Sequence, residues 1–325
     1  MQYLRKIPTV MTAEELLDKI FSKSSKVSGK NTNERIINKL STISNISRNY
    51  FNKIIFSHPN YDSLPTFYKE MIDLIVGIKD LKKSLSSLNW ADRMIQKIVT
   101  KSIENIRNGK DPIAIFRSAC GRISSVIEEI DNDLRFLNEA KQKMREIPSI
   151  RKMPTVVVAG SPNVGKSSFV ALVSTAKPEI ADYPFTTQKI IIGYTPEIQI
   201  IDTPGLLDRP LAKRNKFERK AILCLKNAAD AILFILDPTE TCGYSLSSQL
   251  SLLEDIKKSF GKPILEVYSK SDMHNFRDKL AFSAKNGEGI KEVLEEVTKM
   301  AKQSYLHTST VIADSGQTST QAQHS

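Results

Sequence analysis

Thr155-Val156-Val157-Val158-Ala159-Gly160-Ser161-Pro162-Asn163-Val164-Gly165-Lys166-Ser167-Ser168 is the segment from which the architecture of this 325-residue chain can be read. Thr155 to Ala159 has the composition of a strand buried on both faces, and it runs directly into GSPNVGKS ahead of an apolar helix. A strand, a glycine-bounded loop and a helix in that order form a phosphate cradle, the P-loop pattern GxxxxGKS. Gly160 and Gly165 let the backbone wrap a phosphate chain with no Cβ in the way, and the amides from Gly165 to Ser168 point at it from a helix N-terminus. Lys166 is expected to reach the β and γ phosphates, and the Ser167 hydroxyl to ligate magnesium. The whole loop, Gly160, Ser161, Pro162, Asn163, Val164, Gly165, Lys166, Ser167 and Ser168, is therefore the expected nucleotide contact.

Downstream, three further motifs follow in an order that gives the loop its companions. Ile198 to Ile201 reads as a strand ending in Asp202-Thr203-Pro204-Gly205, which resembles the DxxG element of GTPases. Asp202 is expected to hold magnesium through water, and the Gly205 amide to sense the γ-phosphate. Between the two motifs, Asp182-Tyr183-Pro184-Phe185-Thr186-Thr187-Gln188 stands where a first switch belongs. Thr187 is the preferred residue to close on magnesium when the γ-phosphate is present, with Thr186 as the second choice. Lys166, Thr187 and Gly205 are thus the expected catalytic set. Pro263 to Tyr268 reads as a strand leading to Ser269-Lys270-Ser271-Asp272, where GTPases carry NKxD. The Asp272 carboxylate can accept from both guanine N1 and N2 donors, which adenine does not offer in that arrangement. Ser269 replaces the usual Asn, so a tether from this loop to the P-loop is expected to be shortened or lost. Ser283, Ala284 and Lys285 supply an SAK element in which the Ala284 amide would meet guanine O6. Only a very short helix fits between Asp272 and Ser283.

Upstream of residue 150 the grammar is different. A capping box at Thr12 and Glu15 opens one helix. Helical spacing predicts others over residues 31–57 and 64–75, a long pattern after Gly77 running through Leu81 to Ile106, and a last one from Pro112 to Arg145. Residues 1–150 are therefore expected to form an all-α bundle. Residues 151–303 are expected to form an α/β P-loop domain with a doubly wound, mostly parallel sheet, and residues 304–325 a disordered Ser/Thr/Gln-rich tail. The charge is as lopsided as the grammar: residues 1–153 hold 27 Lys+Arg against 17 Asp+Glu, and residues 154–325 hold 20 against 19. That imbalance suits either a polyanionic partner of the helical half, nucleic acid being the usual one, or a solvated helical surface with a lysine bias. Lys213, Arg214, Lys216, Arg219 and Lys220 lie near the second switch, either as a coupling surface or as a solvated helix face.

Composition also excludes function classes. The 3 cysteines and 4 histidines are scattered without metal-ligand spacing, which argues against a disulfide framework, a zinc site and histidine catalysis. No apolar run of membrane-spanning length and no signal-like N-terminus are seen, so a cytoplasmic monomer without membrane attachment is expected.

Together, GSPNVGKSS, DYPFTTQ, IIDTPGLLDRP and the segment DPTETCGYSLSSQ from Asp237 to Gln249, behind a basic helical half, resemble the nucleolar GTP-binding protein 1 family among the Obg-like GTPases. The likeness runs to about residue 303. It implies GTP and GDP as ligands, slow hydrolysis, and a role in assembling the large ribosomal subunit beside rRNA and ribosomal proteins. Ras-like enzymes orient the attacking water with a glutamine after DxxG, but Leu206 and Leu207 stand here. Asn163 occupies the place where related potassium-activated GTPases hold K⁺, so K⁺ stimulation is implied. The chain resembles the compact archaeal form. A reading of another class also stands: a GTP-dependent protein-interaction module in which hydrolysis is incidental.

Overall fold

The computed structural model describes residues 4–209, 214–274, 276 and 279–321, with side chains described as far as residue 307. The chain divides into two units, one of residues 1–64 and 75–145, the other of residues 65–74 and 146–325.

The first unit is helical. Thr12 caps α1 (Ala13–Ser25), with Glu15 completing the capping box. Asn31 caps α2 (Thr32–Ser57). After the excursion into the second unit, α4 (Ile78–Arg107) forms the longest helix of the bundle. Asp111 caps α5 (Pro112–Glu129), whose proline at the start needs no amide partner. Its core is the seam that the periodicity predicts, with Leu16, Ile20, Leu40, Ile43, Leu81, Leu88, Ile95, Ile123, Leu134 and Leu137 wholly buried. The expected single helix from Pro112 to Arg145 is two: the turn of α5 ends at Ile130, and α6 (Asp131–Arg145) starts afresh. No proline or glycine marks this break. Its cause is distant in sequence, because the Asp131 carboxylate accepts the Ala13 amide at the start of α1 at 2.8 Å.

The second unit begins with a segment that sequence alone assigned to the bundle. Helix α3 (Thr66–Ile75) belongs with the sheet rather than with its neighbours in the chain. The Tyr68 hydroxyl accepts the Ile150 amide at 2.7 Å and faces the carbonyls of Pro148 and Ile150. The rest alternates strands and helices: β1 (Thr155–Ala159), α7 (Lys166–Val173), β2 (Glu179–Asp182), β3 (Lys189–Tyr194), β4 (Gln199–Asp202), α8 (Lys216–Ala228), β5 (Ala231–Leu236), α9 (Leu246–Phe260), β6 (Ile264–Ser269), β7 (Ala281–Phe282) and α10 (Ile290–Gln321).

Among the described residues these strands form one sheet in the order β2-β3-β4-β1-β5-β6-β7. Only β3 pairs antiparallel with its neighbours; the remaining pairs are parallel. One face of β1, β4 and β5, formed by Val156, Val158, Ile198, Ile200, Leu233 and Ile235, packs with Phe169 and Val170 of α7 and Val293 and Val297 of α10. The alternate residues Val157, Ile201, Ile232 and Phe234 are equally buried, so the sheet is covered on both sides, as parallel strands require. The chain leaves β1 toward one edge and returns beside it as β5. The P-loop thus lies at the topological switch point, where open α/β sheets place their ligands. Where a disordered tail was expected from residue 304, the backbone is helical to Gln321, and among the side chains described, which end at residue 307, Ala301 is the last buried one.

Candidate functional site

The loop between β1 and α7 takes the shape that its glycines permit. Gly160 has φ 138° and Gly165 has φ 97°. A Cβ on Gly160 would lie 2.4 Å from the Ile235 carbonyl oxygen, so no other residue fits there. Asn163 also sits in the left-handed region, at φ 60°, a conformation that Asn tolerates. The buried Lys166 ammonium donates to the carbonyls of Gly160 and Ser161 at 2.9 and 2.7 Å, curled over its own loop. Burial lowers its pKa, with Asp202 acting against the shift.

Across from it, Ser167 donates to Asp202 Oδ2. Asp202 is fully buried, its other carboxylate oxygen has no hydrogen-bond partner, and burial raises its pKa against the bond from Ser167. A buried carboxylate with one oxygen unpartnered, within electrostatic reach of a desolvated lysine, is costly unless ligand charge completes it. The donor set, one hydroxyl and one carboxylate, is made of the hard oxygen ligands that suit a magnesium ion. The residues present therefore fit the expected Mg²⁺, with Ser167 and Asp202 as the holders.

The two expected switch threonines differ sharply. Thr186 donates to the Tyr183 carbonyl at 2.8 Å and faces the Gln188 carbonyl at 3.1 Å, closing a turn between β2 and β3. Thr187 is exposed, its hydroxyl accepting a long bond from Gln188 Nε2 at 3.5 Å. Thr187 is thus the one of the pair whose hydroxyl does not hold the turn together. The turn itself is tied to α8: the Tyr183 hydroxyl donates to the Ala221 carbonyl at 2.7 Å, and Phe185 stacks on Phe217 with centroids 5.7 Å apart.

Beyond β4, Gly205 has φ 74°, and Leu206 and Leu207 are buried in the core. Arg214, read from sequence as part of a basic surface, is instead buried. One of its nitrogens donates to the carbonyls of Gly205 and Leu206 at 2.6 and 2.7 Å, and the guanidinium also pairs with Asp208 and Glu218. Lys216, Arg219 and Lys220 lie on α8, while Lys213 falls outside the described residues.

The elements expected to select the base meet the P-loop around a cavity of ≈ 290 Å³. It is lined by Asn163, Gly165 and Ser168 on one side and by Lys270, Asp272, Ser283, Ala284 and Lys285 on the other. Asp272 accepts the Ser283 hydroxyl at 2.6 Å, a bond that holds its carboxyl below the usual aspartate range and leaves a second oxygen for a ligand. The connection after Asp272 opens with a single 3₁₀ turn, Ser271–Met273, as short as the spacing required. Ser269 is buried and donates to the Leu236 carbonyl at 3.2 Å, within the sheet.

Lys270 adopts a left-handed backbone and spans to the segment after β5, where its ammonium pairs with Asp237 at 2.6 Å and meets Thr241 at 2.6 Å. Asp237 also accepts from Thr239 and from the Cys242 amide. Gln249, fully buried at the start of α9, closes the same loop by accepting the Asp237 amide and donating to the carbonyls of Asp237 and Tyr244. Sequence reasoning did not single out Asp237, Gln249 or Arg214 as supports. Asp237 and Gln249 stand out only as the two ends of the DPTETCGYSLSSQ segment that carries the family resemblance, and Arg214 only as part of a basic run.

Residues 4–151 match the NOG1 N-terminal helical domain, and residues 216–272 match Nucleolar GTP-binding protein 1 (NOG1). An uncharacterized protein of Methanocaldococcus jannaschii is 37% identical over 282 residues, which are 83% of this chain and 81% of that one. The nucleolar GTP-binding protein 1 of Arabidopsis thaliana is 32% identical over 260 residues, 76% of this chain but only 38% of the plant protein. The chain thus spans less than half of that eukaryotic relative. A Plasmodium falciparum chain crystallised under the name nucleolar GTP-binding protein 1 is 29% identical, covering 54% of this chain and 100% of that one with a TM-score of 0.45.

Proposed function

The chain belongs to the nucleolar GTP-binding protein 1 family, and from that premise we propose that it binds GTP and GDP with Mg²⁺ and hydrolyses GTP slowly. In this reading it is a cytoplasmic nucleotide-dependent switch in assembly of the large ribosomal subunit. The basic helical unit contacts rRNA or the pre-ribosomal particle with its ribosomal proteins.

The observation that carries the nucleotide reading is the convergence of P-loop, SKSD and SAK loops on one cavity, with Asp272 oriented by Ser283. In the proposed complex Asp272 accepts from guanine N1 and N2, and the Ala284 amide donates to O6. Lys166 exchanges its two loop carbonyls for the β and γ phosphates, and the amides of Gly165 to Ser168 donate to the phosphate chain. Ser167 would hold Mg²⁺ directly and Asp202 through water, and the ion would supply positive charge to offset that of the phosphates. The exposed Thr187 hydroxyl is available to join them when the γ-phosphate is present. Gly205 offers its amide to the same phosphate, its backbone fixed by the Arg214 bond to its carbonyl. Asn163, in its left-handed turn beside the loop, is the proposed K⁺ contact.

Calorimetry on the full chain with Mg²⁺ tests this reading. Heat is expected for GTP and GDP and none for ATP. Asp272→Asn, which swaps an acceptor for a donor, should weaken GTP by roughly 2 to 4 kcal/mol and favour xanthosine nucleotides. Equal heat for ATP, or unchanged GTP affinity in that variant, defeats the assignment. Turnover should be faster in K⁺ than in Na⁺, and equal rates remove the monovalent ion.

A second reading, the protein-interaction module with incidental hydrolysis, draws on the Phe185–Phe217 stack, whose residues are 42% and 56% exposed on the turn after β2 and on α8. Failure to associate with large-subunit rRNA in any nucleotide state would favour it.

A further inference from the structure

Hydrolysis needs a water held in line with the γ-phosphorus, and the positions after DxxG cannot hold it. Leu206 and Leu207 have 0% and 1% of their surface exposed and carry no polar atom. The register of the sheet brings a different side chain to the same place. In the antiparallel pair of β3 and β4, Ile191 lies opposite Asp202 and Ile192 opposite Ile201. Continued three residues past the paired ends, that alignment sets Gln188 opposite Gly205.

The side chain makes the contact that the alignment implies. A Cβ built on Gly205 would lie 2.6 Å from the Gln188 carboxamide carbon and 2.7 Å from its Oε1, so the amide rests on the glycine backbone. Its Nε2 faces the Thr187 hydroxyl at 3.5 Å. The carboxamide therefore lies between the threonine and the glycine that the proposed mechanism assigns to the γ-phosphate. It carries one acceptor and two donor hydrogens.

We infer that Gln188 is a catalytic residue, its carboxamide holding the attacking water from the first switch in place of a glutamine in the second. This rests on the GTPase reading above. Oε1 accepts a hydrogen bond from the water while Nε2 donates to the phosphate or to Thr187. The bond formed joins the water oxygen to the γ-phosphorus, and the bond broken is that to the β,γ-bridging oxygen, which leaves with its electron pair as GDP. The water proton ends on the released phosphate, since a carboxamide is too weak a base to keep it. The contribution is positional, which gives it the scale of one preorganised polar contact.

The test is single-turnover hydrolysis by the full chain with Mg²⁺ and K⁺, comparing wild type with Gln188→Ala and Gln188→Met. The Met variant keeps the packing on Gly205 and lacks the polar atoms. Both variants should hydrolyse saturating GTP about 10- to 100-fold more slowly. Affinity for a slowly hydrolysed GTP analogue should stay within about threefold, and binding of GDP with aluminium fluoride should weaken in step with the rate. Unchanged rates in both variants overturn the inference. So does a loss of analogue affinity matching the loss of rate, the mark of a purely structural contact. A wild-type chain that binds GTP without turning it over removes the inference and leaves the binding reading intact. A chain that binds no GTP removes the reading itself.

Discussion

Asp237 concentrates in one carboxylate much of what holds the loops after β5 and β6 in place. It is fully buried and accepts from Lys270, Thr239 and the Cys242 amide. Burial alone would raise its pKa, but the hydrogen bonds from Lys270, Thr239 and Cys242 outweigh it and bring the carboxyl down to about 2. An unfolded aspartate titrates near 3.9, so the contribution is complete above that pH and disappears as pH falls through about 2. Its size at neutral pH is on the order of 2 kcal/mol. Asp237→Asn should weaken urea resistance by roughly 3 kcal/mol at pH 7, since it leaves Lys270 without its charge partner. The variant should also lose less stability than wild type between pH 5 and 3. Identical pH slopes in the two proteins would show that the carboxylate is not held this way. The sequence pointed to Lys166, Ser167, Asp202 and Asp272 because each sits in a contiguous motif whose spacing encodes chemistry. Lys270 reaches Asp237 from 33 residues away, while Gln249 and Arg214 bond within 12 residues; the family segment marks Asp237 and Gln249, but no spacing rule gives any of the three a role.

At the scale of elements, caps and periodicity are local, so the helix starts at Thr12 and Asp111 and the strand before the P-loop were legible. Allegiance was not: α3 has the same helical spacing as its neighbours in sequence, and nothing in its pattern names the body it packs against. Its place is fixed by Tyr68, whose buried hydroxyl satisfies the Ile150 amide on the way into β1. A second tie runs from Glu70 to Asn227 at the end of α8, 2.6 Å apart. Tyr68→Phe keeps the ring and strands a buried amide, a loss of about 1 to 3 kcal/mol. It should appear in chemical denaturation as reduced stability of the α/β unit. Stability equal to wild type would mean that water replaces the hydroxyl and that α3 is held by packing alone. The break at Ile130 escaped for a related reason, because the Asp131 carboxylate that starts α6 answers an amide 118 residues away.

Over the whole molecule, the division into units sharpens the charge asymmetry that composition first suggested. The helical unit, residues 1–64 and 75–145, holds 24 Lys+Arg against 14 Asp+Glu, while the α/β unit is nearly balanced at 23 against 22. The net charge of +10 on the first unit includes an exposed row along α4, Arg93, Lys97 and Lys101, set one helical turn apart. A row of that spacing can follow a phosphate backbone, and each phosphate that it neutralises releases condensed counterion. If the proposed rRNA contact engages about four to six phosphates, its affinity should fall roughly 100-fold between 50 and 200 mM salt. Reversing two charges, Lys97→Glu with Lys101→Glu, should lower affinity further and flatten the dependence of log K on log salt by about one to two units. Both residues are exposed, so the bundle should fold as before and bind GTP with wild-type heat. Filter binding across a salt series reads both quantities. Binding insensitive to salt, or a double variant indistinguishable from wild type, would move the nucleic-acid surface away from this face, whereas lost GTP binding in the variant would point to damage beyond the row.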